Sequence, residues 1–160
     1  MPRKLYRKRY ASGARDKYSV EQSVIRGITS TEQTNGLYQA PFNLVAATPT
    51  QGMRKVKHVT ISLSTGPPAS GVNTAIYWAL VYVPEGYSVN PLNGNTGANF
   101  YEPNQFVMAC GCNDPDAGPV RIRSPLSRNL NSGDSIWLVV GTPVPNISVH
   151  GILQYAITLQ

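Results

Sequence analysis

The sequence predicts an all-β fold, a sandwich of two sheets that follows a basic N-terminal segment. Apolar and polar residues alternate with a period of two along most of the chain after residue 17, as strands with one buried face do. The 160 residues include 14 Gly and 13 Pro without a repeat, which favours short strands joined by turns. No segment has a convincing helical period, and the length suits one domain with its own core.

The first 17 residues carry the whole net charge of +6. They contain seven Lys/Arg and one acidic residue, Asp16, whereas residues 18–160 contain seven residues of each sign. Charge confined to one end indicates a tail that interacts with a polyanion and lacks a fixed conformation by itself. We therefore predict a disordered basic arm at 1–17 and a folded domain at 18–160.

Cations and tyrosines alternate in this arm, and both suit an unpaired nucleic-acid strand. Lys and Arg neutralise phosphates without reading sequence, and tyrosine rings stack on unpaired bases. The alternative is a disordered tail that only solubilises the protein or serves nuclear import. The predicted nucleic-acid-binding residues are Arg3, Lys4, Tyr6, Arg7, Lys8, Arg9, Tyr10, Arg15 and Lys17.

The first three of eight predicted strands lie at 20–28, 38–47 and 55–64. The third has the clearest alternation, since three aliphatic side chains on one face alternate with polar ones on the other. The aliphatic face consists of Val59, Ile61 and Leu63, and the polar face consists of His58, Thr60 and Ser62.

The fourth and seventh predicted strands, 75–83 and 135–141, are apolar on both faces. Such strands are covered on one side by the core and on the other by a partner or a long loop. The fifth predicted strand, 104–111, contains Cys110, and Cys112 follows it directly. We interpret both cysteines as core thiols that share one face of the strand with Phe106 and Met108. The side chains predicted to be largely buried are Trp78, Leu80, Phe106, Trp137 and Leu138.

The sixth and eighth predicted strands are 119–126 and 147–159. The first sets Val120, Ile122 and Leu126 against Arg121 and Arg123, and the second alternates except at Ile152. A tight turn is predicted at 131–134, whereas 85–103 is too long for a hairpin. Eight strands with long excursions suit an eight-stranded jelly-roll sandwich, and the Cys…Trp…Cys spacing of many immunoglobulin-like domains is missing.

No pattern of catalytic or metal-binding residues stands out. Asp114 and Asp116 resemble a turn, and His58 and His150 fall on the polar faces of strands. A glycine-rich phosphate loop, a nucleophile elbow and a metal-ligand spacing are all missing, so we expect no enzyme, no cofactor and no metal. Because there is no run of 18 apolar residues and no signal-peptide pattern, we expect synthesis inside the cell without membrane insertion.

Three segments carry a resemblance to a known family: 78–86 (WALVYVPEG), 101–111 (YEPNQFVMACG) and 127–140 (SRNLNSGDSIWLVV). Together with the basic arm they resemble the capsid proteins of small circular single-stranded DNA viruses, the circovirus-like group that encodes a replication protein. The resemblance covers about residues 54–142, and the arm is shorter than the arginine-rich arms typical of circoviruses.

The resemblance implies a virion protein, sixty copies of which close into a T=1 icosahedral shell around single-stranded DNA, with assembly in the host nucleus and contact with import machinery. Five body cations at strand positions are candidate contacts with nucleic acid in the shell interior, or alternatively solvated or inter-subunit charges: Arg54, Lys55, Lys57, Arg121 and Arg123. Two other classes stay open, a cellular single-stranded nucleic-acid-binding β-barrel and a sandwich lectin or similar recognition module.

Overall fold

The structure is a computed structural model that describes residues 18–49, 52–66, 74–94, 106–114 and 117–159. Ten strands form two antiparallel sheets, with no helix longer than a single turn in these ranges. The strands are β1 (Ser19–Ile28), β2 (Gln33–Thr34), β3 (Leu37–Val45), β4 (Arg54–Thr65), β5 (Ile76–Val83), β6 (Phe106–Asn113), β7 (Val120–Ser124), β8 (Arg128–Leu130), β9 (Ser135–Thr142) and β10 (Ser148–Leu159). The predicted arm lies outside the described residues, and its boundary with the body stays a prediction.

The strand order confirms the jelly roll. Sheet A has the order β1-β10-β4-β7, with the short β8 also paired to β4, and sheet B has the order β2-β3-β9-β5-β6. The chain crosses between the sheets after β1, β3, β4, β6, β8 and β9, so that the first and last long strands become neighbours. This winding is the double Greek key of a jelly roll.

β4 alternates as the sequence predicts, and a bulge lengthens its buried face. Val59, Ile61 and Leu63 are at most 1% exposed. His58 has a φ of 54°, in the left-handed region, and the β10 register shifts beside it, from Lys57–Ala156 to Thr60–Gln154. The extra residue returns Val56 to the core, where it is also almost fully buried.

β5 and β9 are buried on both faces, as predicted, and the loop after β5 covers them. Leu80 and Leu138 point into the space between the sheets, whereas Val81 and Val139 pack outside sheet B against Leu92. The Gln39 side chain fixes this loop, because its Nε2 donates to the Leu92 carbonyl (2.8 Å) and its Oε1 accepts from the Leu92 N–H (2.7 Å). The loop therefore covers the outer face of sheet B over β5 and β9.

A bulge in β6 makes the prediction for its side chains wrong. Leu80 pairs with Ala109 and Val81 with Val107, so Met108 is an extra residue and turns into the core. Cys110 and Cys112 do share a face, but it is the outer face of sheet B, where both thiols are exposed. They are not core thiols.

Two further side chains differ from the prediction. Phe106 lies against the Tyr82 ring at the edge of the core and keeps 41% of its surface exposed, because β6 is an edge strand. Leu126 is 43% exposed because β7 ends at Ser124, before Pro125. Trp78, Leu80 and Leu138 are buried as predicted, and Trp137 is half-buried.

The connection between β8 and β9 is the tight turn that the sequence predicts. Gly133 has a φ of 82°, and the Asp134 N–H donates to the Asn131 carbonyl at 3.3 Å. The buried Asp134 carboxylate accepts from the Tyr82 hydroxyl (2.8 Å), the Asn131 N–H (2.8 Å) and the Glu85 N–H (3.0 Å). This network joins the end of β5 to the start of β9.

Candidate nucleic-acid interface

The outer face of sheet A is the broad polar surface of the sandwich. The registers of β1, β10, β4 and β7 align their outward residues in rows that cross the sheet. The rows are Gln22–Gln154–Thr60–Arg123, Val24–Ile152–Ser62–Arg121 and Arg26–His150–Ser64. Hydroxyl, amide, imidazole and guanidinium groups therefore share one surface, which we call the cationic face.

Two predicted contact residues, Arg121 and Arg123, lie together on the cationic face. They alternate with the buried Ile122 on β7, so both side chains are exposed at outward positions. The neighbouring β4 places the Ser62 and Thr60 hydroxyls beside them. Because the two arginines are two residues apart on one strand, the sequence alone predicts that they share a face.

Lys55 and Lys57 extend the cationic face along β4. The Lys57 ammonium lies 4.4 Å from the centroid of the Tyr18 ring, a cation–π distance that holds the ring against the sheet. Tyr18 directly follows the predicted basic arm. Tyr18, the first described residue, therefore lies beside a cation of the face.

Arg54 is a correction to the predicted set of interior contacts. It is only 9% exposed, because it points between the sheets rather than outward. One guanidinium nitrogen donates to the Ala46 carbonyl (3.0 Å), and the other donates to the Asp134 carbonyl (3.2 Å). Arg54 is a structural residue that ties β4 to the turn before β9.

The sequence prediction missed Arg26 and His150. They face each other across β1 and β10 and line a shallow groove of about 410 Å³ with Val24, Ser62, Ser64 and Ile152. The pattern at 20–28 is too weak to assign a face, since two of its outward residues are exposed valines. Only the pairing of β1 with β10 shows that Arg26 points outward beside His150.

No acidic residue of the described ranges occupies an outward position on the cationic face. Glu32, Glu85, Asp114 and Asp134 lie outside the strands of sheet A. Glu21 is on β1 but lies opposite Tyr155, on the other face of the sheet. Burial raises the pKa of Tyr155, and the nearby Glu21 carboxylate raises it further. Five cations on one face, with no acidic residue of the described ranges pointing outward among them, create a positive potential.

This arrangement suits binding of a phosphate backbone. Cations and neutral donors bind phosphates without reading bases, and the face carries no row of aromatic rings that would stack successive bases. In the described part of the chain, no group of three His, Cys, Asp or Glu residues is placed to hold a metal ion. The same ranges contain no helix long and apolar enough to cross a membrane.

The nine arm residues predicted to bind nucleic acid lie outside the described residues, as does Asp116. Their role stays a prediction. His58 and His150 are exposed on sheet A, as their positions in the alternation predict.

No protein-family model and no curated protein matches the chain. Among solved structures, a chain from turnip yellow mosaic virus is similar with a TM-score of 0.46 and 10% identity, over 91% of this chain and 95% of that one. A chain from desmodium yellow mottle tymovirus has a TM-score of 0.40 and 11% identity, over 92% and 91%. Dimeric latent PorU from Porphyromonas gingivalis has a TM-score of 0.30 and 10% identity, over 92% and 14%. At such low scores these likenesses leave the family open.

Proposed function

We propose that this chain is a viral capsid protein. Copies of it assemble into a small icosahedral shell, and the basic segment at 1–17 packages single-stranded DNA against the cationic face. The observation that carries the proposal is the contact of Tyr18, the residue next to the charged segment, with Lys57 on the cationic face, where no acidic residue of the described ranges points outward. Segment and sheet then contribute to one positive surface.

The choice of single-stranded DNA rests on the arm and on the resemblance to circovirus-like capsid proteins. Tyr6 and Tyr10 alternate with cations, and aromatic rings bind unpaired bases because each base exposes its flat face. A shell of sixty copies and assembly in the host nucleus follow from the same resemblance. An RNA cargo is the outcome that would replace this part of the proposal.

The alternatives differ from the structure in specific ways. An OB-type single-strand binder is a partly open barrel, whereas this chain forms two separate sheets with four edges. Jelly rolls also occur in lectins, but a lectin leaves the concentration of seven cations at 1–17 without a role. The capsid function accounts for both the fold and the charge.

The test is to express the full chain and examine it by negative-stain microscopy and by the absorbance ratio at 260 and 280 nm after nuclease treatment. We expect closed particles that protect nucleic acid. A variant with Gln at Arg3, Lys4, Arg7, Lys8 and Arg9 should form particles of the same size without nucleic acid. Monomers under all conditions, or unchanged packaging by the variant, would refute the corresponding part of the proposal.

A further inference from the structure

We infer that β1 is an interface between two copies of this chain, which pair their β1 strands antiparallel about a two-fold axis through Val24. The pairing would join two copies of sheet A into one continuous sheet. It goes beyond the proposed function, because such a dimer needs no nucleic acid and forms whether or not the shell packages DNA.

β1 is the sheet edge in the described ranges with the least protection against pairing. The opposite edge of sheet A consists of the five-residue β7, which lies between Pro119 and Pro125 and carries two outward arginines, and of the three-residue β8. In sheet B, β6 has a bulge, and the two-residue β2 covers only the start of β3, whose remaining residues include Pro41 and a register shift. Short edges, bulges, prolines and charges are the features that prevent sheets from joining edge to edge. β1 has ten residues, contains neither Pro nor Lys, and pairs with β10 over its whole length without a register shift.

The outward side chains of β1 also favour a protein contact. Val20, Val24 and Ile28 are exposed by 62%, 63% and 62% of their surface, and Ile152 beside Val24 is 60% exposed. These four are among the few large apolar side chains on the surface of the described residues. Aliphatic side chains in a row gain from a cross-strand partner of the same kind.

The order of residues in β1 is self-complementary about Val24. In an antiparallel pair centred there, Val24 faces Val24 of the second copy, Val20 faces Ile28, and Gln22 faces Arg26. Apolar residues thus meet apolar ones, polar residues meet polar ones, and the two Arg26 side chains stand about 13 Å apart along the strands. A two-fold interface requires this self-complementarity, because both copies present the same patch.

Other registers fit less well. An axis at Ile25 places Val24 opposite Arg26, and an axis at Ser23 places Val24 opposite Gln22, so that apolar side chains meet polar ones. An axis at Arg26 places two like charges opposite each other, and an axis at Gln22 leaves Ile28 outside the ladder. The axis at Val24 also lies at the middle of the strand, so nearly all of β1 pairs.

Cysteine cross-linking tests this register. In a background with Cys110→Ser and Cys112→Ser, the variants Val24→Cys, Gln22→Cys and Ile152→Cys are compared after oxidation with diamide, which accepts two electrons and two protons as the disulfide forms. We expect Val24→Cys to migrate as a covalent dimer on a non-reducing gel, because opposite residues lie within disulfide reach. Gln22→Cys and Ile152→Cys, which have similar exposure but no partner cysteine within reach, should stay monomeric.

A mixed sample separates this register from random collision. Gln22→Cys protein combined with Arg26→Cys protein should cross-link, since these positions face each other across the axis. Val24→Cys that stays monomeric, or Gln22→Cys that cross-links by itself to the same extent, overturns the inference. The absorbance ratio of the same samples reports packaging separately, so a failed interface and a failed capsid function give different results.

Discussion

At the scale of single residues, Asp134 joins three chain segments through its carboxylate. The Tyr82 hydroxyl and two backbone N–H groups donate to it, and its own carbonyl accepts from Arg54. Burial raises the pKa of Tyr82 to about 12, and the hydrogen bond and negative charge of Asp134 contribute to the rise. A buried acceptor with three donors is costly to disturb, because each lost partner leaves a desolvated group.

We expect Tyr82 to make folding sensitive to alkaline pH. The unfolded chain loses the phenol proton near pH 10 and the folded chain near pH 12, so stability is full below about pH 10 and falls as the pH rises through 12. Tyr155 acts in the same direction. Tyr82→Phe should lower the free energy of unfolding by about 0.5–1.5 kcal/mol at pH 8 and make the alkaline fall shallower. Urea denaturation between pH 8 and 11 measures both effects.

The control for this prediction is Tyr87→Phe, since Tyr87 is 53% exposed. Its unfolding curves should match the unmodified protein at every pH. An alkaline fall of equal steepness in both variants would mean that Asp134 does not hold the Tyr82 proton.

Truncation of core residues should separate Leu138 from Phe106. Leu138 is fully buried between the sheets, so Leu138→Ala should cost about 2–5 kcal/mol and often prevent folding. Phe106 is 41% exposed at the edge of sheet B, and Phe106→Ala should cost clearly less. Thermal unfolding of both variants checks the order. A larger loss at Phe106 would contradict the observed placement of β6.

At the scale of strands, alternation in the sequence predicted the long elements and their buried sides. β4 and β10 follow it because one of their faces is buried, whereas β5 and β9 are recognised by apolar residues on both faces. β2 and β8 have two and three residues, too few for any period, and they form only because a neighbouring strand accepts them. The bulge in β6 places Met108 in the core and Cys110 on the outer face, and sequence alternation alone does not report an inserted residue.

The candidate site was predictable to a similar extent. Arg121 and Arg123 share a face with Lys57 because β7 and β10 flank β4, an arrangement that a strand list does not contain. Unbroken alternation on β4 would turn Arg54 outward, but the bulge at His58 shifts the faces, and Arg54 points inward and reaches two carbonyls. Arg26 became visible only through pairing with β10.

The cationic face should contribute to the salt dependence of single-strand binding. Each phosphate contact on a single strand adds about 0.7 to the slope of log affinity against log salt. Arg121→Ser should lower that slope by about this amount for oligothymidylate, measured by fluorescence anisotropy with dilute full-length protein. Gln33→Glu changes the net charge equally, but on the exposed β2 of sheet B, and should leave the slope unchanged. Equal effects of both variants would indicate general charge repulsion instead of contact.

At the scale of the whole molecule, charge limits what a shell can neutralise. A chain with net charge +6 gives sixty copies about 360 positive charges, whereas the 160 codons of this chain alone need about 480 nucleotides. Small cations must therefore balance many of the phosphates. Assembly should then depend mainly on apolar contacts between subunits, and nucleic acid should be held in a salt-sensitive way.

We accordingly expect empty shells of normal size when the protein is expressed without its genome and assembled at high salt. Light scattering and negative-stain images report their diameter. Shells that form only with nucleic acid would show that charge neutralisation drives assembly, contrary to this prediction.

The loop that Gln39 fastens over sheet B limits which substitutions the chain tolerates during evolution. Six of eight positions in β5 and seven of eight in β9 are buried, so almost every side chain there has neighbours on its own side of the sheet. These two strands therefore offer almost no solvent-facing position at which a substitution would be neutral. Sequence drift in relatives should therefore collect in the other loops, while β5 and β9 keep their volume and the loop over sheet B keeps an apolar residue at Leu92.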